Sequence, residues 1–191
     1  MKTKERPSVS ELETELRRVK YQRRYNTVLK STVYTLITVA AVAVLVATLW
    51  LPVLQIYGSS MTPTLQDGEI VFSVKTGSME QGDVIAFYYN NKILIKRVIA
   101  NPGDWVNITE DGTVYVNDRL LEEPYLTEKS FGDADIEFPY QVPDGKIFVM
   151  GDHRATSADS RHTAVGCVAP DQIVGKIIFR VWPLEQMGIV E

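Results

Sequence analysis

The chain is poor in the residues that most often carry metal or redox chemistry. It has one cysteine, Cys167, and two histidines, His153 and His162. One cysteine excludes an internal disulfide framework and a four-thiolate metal site, and two histidines leave little for zinc. It also lacks a basic excess: 20 Lys+Arg against 24 Asp+Glu give a net charge of −4, which argues against a nucleic-acid partner. Charge is absent altogether from Ser31 to Gln66. No glycine-rich phosphate loop, internal repeat or low-complexity tract is present. What the chain does have is 45% hydrophobic residues over 191 positions, enough to bury a core and to exclude wholesale disorder.

The uncharged stretch separates two dissimilar parts. Residues 1–57 carry nine basic and four acidic side chains, whereas residues 58–191 carry eleven and twenty. Within the stretch, Val33 to Leu51 is almost wholly apolar over 19 residues, close to the ~20 that a membrane-spanning helix needs. Arg17, Arg18, Lys20, Arg23, Arg24 and Lys30 crowd its N-terminal side, and no basic residue follows it until Lys75. The positive-inside bias therefore predicts an uncleaved signal anchor, with residues 1–30 cytoplasmic and the chain beyond about residue 57 outside the membrane. The n-region and apolar run are both too long for a cleaved signal peptide. Residues 8–25 predict a polar helix, read chiefly as a solvated extension that sets topology. Its acidic residues come first and its basic ones later, as the helix dipole favours.

Beyond Pro52 the pattern changes to short strands. Glu69–Val74, Asp83–Tyr89, Lys92–Ile99, Trp105–Ile108, Thr113–Val116, Lys146–Met150 and Ile173–Val181 are predicted, with turns at Asn90-Asn91 and Asp111-Gly112. The expected fold class is mainly β: one N-terminal transmembrane helix, then an antiparallel β-sheet domain with a small inserted β-subdomain. The predicted boundaries are 1–30 for the cytoplasmic extension, 31–56 for the anchor, 57–104 and 146–185 for the β core, 105–145 for the inserted subdomain and 186–191 for a C-terminal tail.

Three segments carry candidate chemistry. The first, Gly58-Ser59-Ser60-Met61-Thr62-Pro63-Thr64-Leu65, follows the apolar run. The second places Lys96 in an otherwise apolar strand, either as an edge charge or as a buried amine. The third, Gly151-Asp152-His153-Arg154-Ala155-Thr156-Ser157-Ala158-Asp159-Ser160-Arg161, is dense in polar side chains. A serine hydroxyl needs a base to become a nucleophile, and a lysine serves only when burial lowers its pKa from about 10.4.

Four stretches in order now resemble the bacterial type I signal peptidases, membrane-anchored serine proteases of family S26. They are Ser60-Met61-x-Pro63-Thr64, then Asp67-Gly68-Glu69-Ile70-Val71, then Gly82-Asp83 through Lys96-Arg97 to Pro102-Gly103-Asp104, and last Gly151-Asp152-x-Arg154 with Ser157-x-Asp159-Ser160-Arg161. The resemblance implies a Ser/Lys endopeptidase that cuts signal peptides from exported preproteins after a small-x-small site, through an acyl-enzyme. It implies Ser60 as nucleophile and Lys96 as general base. Ser157 would hydrogen-bond and orient the Lys96 amine. Asp159 and Arg161 would hold the last segment in place, with Arg97; Asp152 and Arg154 would be structural. The Ser60 backbone N–H would serve the oxyanion hole, whose second donor is open because Gly58 has no side chain to offer. Ile56, Met61, Leu65 and Leu94 are candidate pocket walls. Expected partners are signal peptides, membrane lipid and the translocation machinery, with no cofactor and no metal. His153 and Thr156 depart from the family's usual residues, and the inserted segment is short. Two rivals are weighed against this. A soluble self-cleaving repressor would lack the anchor, and an inactive binding domain would not need Ser60, Lys96 and Ser157 together.

Overall fold

The computed structural model describes residues 9–50, 52–75 and 77–190. The first eight residues of the predicted extension, and Leu51 at the end of the predicted span, lie outside the described residues. The chain divides into two compact units, one up to Ala47 and the other from Thr48 onward.

The first unit is a single helix, α1 (Val9–Trp50). The polar run and the apolar run are thus one continuous helix of 42 residues. No glycine or proline interrupts this stretch, so nothing in it breaks the helix. Its apolar side chains are exposed, Leu36 at 64% and Leu45 at 60% among them. The segment is long and apolar enough to cross a membrane. Thr35 and Thr38 bond back to the carbonyls four residues earlier, which satisfies their hydroxyls without water.

The second unit contains two antiparallel sheets. Its strands are β1 (Val53–Gln55), β2 (Ile70–Val74), β3 (Val84–Tyr89), β4 (Lys92–Ala100), β5 (Trp105–Ile108), β6 (Val114–Val116), β7 (Arg119–Leu120), β8 (Tyr140–Gln141), β9 (Phe148–Met150), β10 (Ile173–Trp182) and β11 (Gly188–Ile189). The larger sheet runs β1-β2-β10-β3-β4-β9, with β11 on β10, and the smaller runs β7-β6-β5-β8. β3 and β4 form a hairpin across Asn90-Asn91, with Tyr89 opposite Lys92 and Asn90 at φ 51°. Asn117 and Asp118, both at positive φ, make the matching turn between β6 and β7.

Four strands differ from the sequence expectation. β1 lies where the anchor was expected to run to residue 56. The helix ends before Pro52 and the apolar Val53-Leu54 joins the sheet, with Leu54 opposite Val71. β7, β8 and β11 have two residues each, too few for an alternation to be legible. β11 pairs Ile189 with Phe179, so the segment expected to be a tail is part of the sheet.

Three apolar clusters build the core. One joins the two sheets: Phe148 and Met150 of β9 pack with Val106, Ile108, Val114, Val116 and Cys167. Cys167 is a buried free thiol in this cluster. Phe148 is fully buried at the seam. Phe148→Ala is expected to lower unfolding stability by about 3–5 kcal/mol through lost burial and a residual cavity, measured by denaturation of the full chain in detergent.

Candidate active site

Ser60 stands on the loop between β1 and β2, and Lys96 near the middle of β4. The loop is closed by local bonds: Thr62 N–H donates to Ser59 O at 3.1 Å and Leu65 N–H to Met61 O at 2.9 Å. The Lys96 amine lies 2.8 Å from Ser60 Oγ and donates to its neighbour's carbonyl, Ile95 O, at 3.0 Å. Lys96 is only 2% exposed, which decides between the edge charge and the buried amine. Burial lowers its pKa from 10.5 to about 8. The Asp159 and Asp152 carboxylates pull it back up, and Arg161 pushes it down. The neutral amine is thus roughly a tenth of the population at pH 7 instead of a trace, and it can accept a proton from a hydroxyl at hydrogen-bond distance.

Three buried arginine–carboxylate pairs surround the dyad. Arg97, adjacent to Lys96 on β4, grips Asp152 with two bonds of 3.0 and 2.8 Å and reaches Gly82 O at 2.8 Å. Arg161 grips Asp159 the same way, both at 2.9 Å, and extends to Phe131 O and Arg154 O. Arg154 pairs with Glu123 and donates to Gly151 O at 3.1 Å. Burial alone would raise the Asp159 carboxyl. Arg161 and the Gly151 N–H outweigh it and hold that pKa below the usual carboxylate range. The Asp159 carboxylate is therefore charged, and Asp159 and Asp152 are each gripped by their own guanidinium.

The last polar segment is pressed against the nucleophile loop. His153 N–H donates to Ser60 O at 3.1 Å, and Thr64 Oγ1 donates to Asp152. A side chain at Gly151 would collide with Ser157 Oγ and the Ser60 carbonyl, so only glycine permits this approach.

Several expected roles change. Ser157 is buried, yet its Oγ has no hydrogen-bond partner at ordinary distance, so the expected bond to Lys96 is not made. The hydroxyl sits over Gly151, and Lys96 directs its bonds to Ser60 and Ile95 instead. Arg97 holds the last segment through Asp152, and Arg161 holds it through Asp159. Gly58 adopts φ +86° and its N–H donates to Asp67 Oδ1 at 2.6 Å, which commits that donor elsewhere. The Ser60 N–H has no acceptor among the described residues. A cleft of about 650 Å³ opens beside the dyad between β1 and the first half of β4. Ile56, Met61 and Leu94 line it, joined by Val53, Leu54, Tyr57, Ile93 and Ile95. Leu65 does not; it is fully buried in the cluster beneath the loop. His153 bonds Thr156 through its ring and faces neither dyad atom with a hydrogen bond. Among the described residues no cluster of His, Cys, Asp and Glu could hold a metal ion.

Sequence reasoning missed Glu123 and Tyr125. Tyr125 lies under the Arg97 guanidinium, 3.8 Å from ring centroid to carbon, and donates to Glu123. Both come from the segment after β7, and their only signal was an acidic and an aromatic residue in a turn-rich stretch.

A family model described as signal peptidase, peptidase S26, matches residues 29–182. Signal peptidase IB of Staphylococcus aureus is 43% identical, over 69% of this chain and 78% of the relative. Signal peptidase I T of Bacillus subtilis is 40% identical, over 68% and 73%. A crystal structure of a signal peptidase I from Enterococcus faecalis V583 is 29% identical, covers 53% of this chain and 98% of its own, and has a TM-score of 0.46. The family model and the relatives define a serine endopeptidase, and its N-terminal apolar helix is compatible with membrane anchoring. The chain belongs to the signal peptidase family, peptidase S26.

Burying the Lys96 amine carries a stability cost with a definite pH dependence. Its pKa is lower folded than unfolded, so between about pH 8 and 10.5 the unfolded chain holds the extra proton and stability rises with pH. Below about pH 8 the full cost is present. Lys96→Met is expected to raise unfolding stability at pH 7 by on the order of 3 kcal/mol, with the gain vanishing above pH 10.5. Denaturation of both proteins at pH 7 and pH 10.5 measures it.

Proposed function

We propose that Ser60 and Lys96 form the catalytic dyad of a signal peptidase that cuts small-x-small sites in exported preproteins. The observation that carries the reading is the 2.8 Å contact between a buried, deprotonatable amine and a serine hydroxyl. As Ser60 Oγ attacks the scissile carbonyl, Lys96 takes its proton. The Ser60 N–H donates to the oxyanion that develops. Collapse of the tetrahedral intermediate expels the leaving amine, which receives the proton from the Lys96 ammonium, and leaves an acyl-enzyme. Water then attacks the ester, giving its proton to Lys96, and a second collapse frees the acid and restores Ser60.

The cleft supports an extended peptide as substrate. β4 pairs with β9 only from Arg97 onward, and β1 pairs only with β2. Residues Lys92 to Lys96 and Val53 to Gln55 therefore turn open strand edges to the cleft, where a third strand can be added by main-chain bonds. Ile56, Met61 and Leu94 would form the shallow apolar walls that favour small side chains.

The anchor holds residues 1–30 in the cytoplasm and the catalytic unit outside in a single pass, where preproteins arrive from the translocation machinery. The basic flank and the charge-free run support that orientation. Contact of the catalytic unit with lipid is supported by Trp182, Leu184, Met187 and Ile189, all more than half exposed within eight residues.

The test is cleavage of a labelled preprotein by the detergent-solubilised protein. Ser60→Ala and Lys96→Ala should each lower kcat/KM by at least about 1,000-fold. For the parent, kcat/KM should rise with pH along a limb centred near 8, because the neutral amine is the active form. Substantial cleavage by Lys96→Ala, or a profile flat from pH 6 to 10, would overturn the assignment.

A further inference from the structure

The nucleophile loop is held at Thr64 from two sides. On one side its hydroxyl donates to Asp152 and accepts from Arg97 Nη2 at 3.3 Å. On the other its carbonyl accepts from Arg180 Nη2 at 3.2 Å. Arg180 stands on β10 opposite Val71 of β2. Its second terminal nitrogen donates to Glu69 Oε1 at 2.7 Å and to Gln186 Oε1 at 2.9 Å, so one planar fork ties three segments together. Glu69 immediately precedes β2 and is 3% exposed. Its own carbonyl accepts the N–H of Ile56, a wall residue of the cleft, at 2.8 Å.

This ion pair is incompletely satisfied. Glu69 Oε2 and Arg180 Nε are buried without hydrogen-bond partners. Unpartnered buried polar atoms are costly, and a buried ion pair is a weak stabiliser compared with well-packed apolar side chains. The fork's distinctive contribution is geometric: it fixes the Thr64 carbonyl, four residues past Ser60, against the sheet that carries Lys96. A displacement of about 1 Å between reacting groups costs on the order of 100-fold in rate.

Resting on the reading of Ser60 and Lys96 as the dyad, we infer that Arg180 and Glu69 are positioning residues that set the Ser60 loop at attacking distance from Lys96. Neither touches the reacting atoms; both act through Thr64 and the start of β2. Arg180→Lys separates this role from simple stability. A lysine keeps a positive charge opposite Glu69, but its single nitrogen on a flexible stem cannot hold the Thr64 carbonyl, Glu69 and Gln186 in one plane.

The experiment compares the full chain in detergent with Arg180→Lys, Glu69→Gln and Ser60→Ala, using a labelled preprotein and reading kcat, KM, the pH profile and the melting temperature. In Arg180→Lys, kcat is expected to fall by about 10- to 100-fold, with KM within about threefold. The acid limb should stay where the parent has it, with melting little changed. Glu69→Gln keeps an acceptor for the fork and should lose less than Arg180→Lys. Parental kcat in Arg180→Lys, a loss that only tracks the unfolded fraction, or a moved acid limb would each overturn the inference while leaving the dyad standing. A silent parent would instead overturn the dyad reading, and the inference with it.

Discussion

An amine buried to 2% exposure and bonded to a serine hydroxyl is an expensive thing for a protein to hold, and the architecture around Lys96 follows from that. In water the amine is protonated at neutral pH and cannot act as a base. Enclosed, its pKa falls to about 8, and a hydroxyl 2.8 Å away becomes a reachable acid. The enclosure has to be rigid, because a mobile one would let water back and restore the ammonium. β4 supplies that rigidity: its Lys92 to Arg97 stretch is laddered to β3, and its far end is gripped by β9.

The charges around the amine are balanced as pairs. Bare carboxylates at Asp152 and Asp159 would favour the ammonium and undo the effect of burial. Each is instead gripped by its own arginine through a two-pronged contact, so the surroundings of Lys96 include guanidinium as well as carboxylate charge. The same arginines do mechanical work. Arg97 ties β4 to Asp152 and, through Thr64, to the nucleophile loop, while Arg161 ties the last polar segment to the smaller subdomain at Phe131. Glu123 and Tyr125 bring that subdomain under Arg154 and Arg97. Glu123 and Tyr125 thus support two of the arginines around the site, although neither is bonded to the dyad.

Much of this was legible in the sequence for physical reasons. Longer strands such as Lys92–Ala100 announce themselves because apolar runs end at Asn, Gly or Pro. Ser60 and Lys96 are legible through the four ordered stretches that resemble the family, because the strand around Lys96 alone leaves an edge charge and a buried amine open. What stayed hidden depended on distant partners. Nothing local shows what Glu69, Glu123 and Arg180 bond, since their partners lie 111, 31 and 116 residues away and meet them only in the fold. Pro52 marks the end of the helix, but Val53–Gln55 continues the apolar run and is too short for an alternation to show that it is a strand. Ser157 was placed correctly in its segment, but its hydroxyl lies against Gly151 rather than on the amine. Leu65 has the right chemistry for a pocket wall, but the loop turns it into the core.

The central claim is that burial lowers the pKa of the Lys96 amine far enough for it to serve as a base near neutral pH. NMR titration of the full chain, with lysine side chains labelled at Cε and Lys96→Met used to assign the resonance, measures that directly. A midpoint near 8 is the result predicted here. A midpoint at the ordinary 10.5 would contradict it and leave Ser60 without a base.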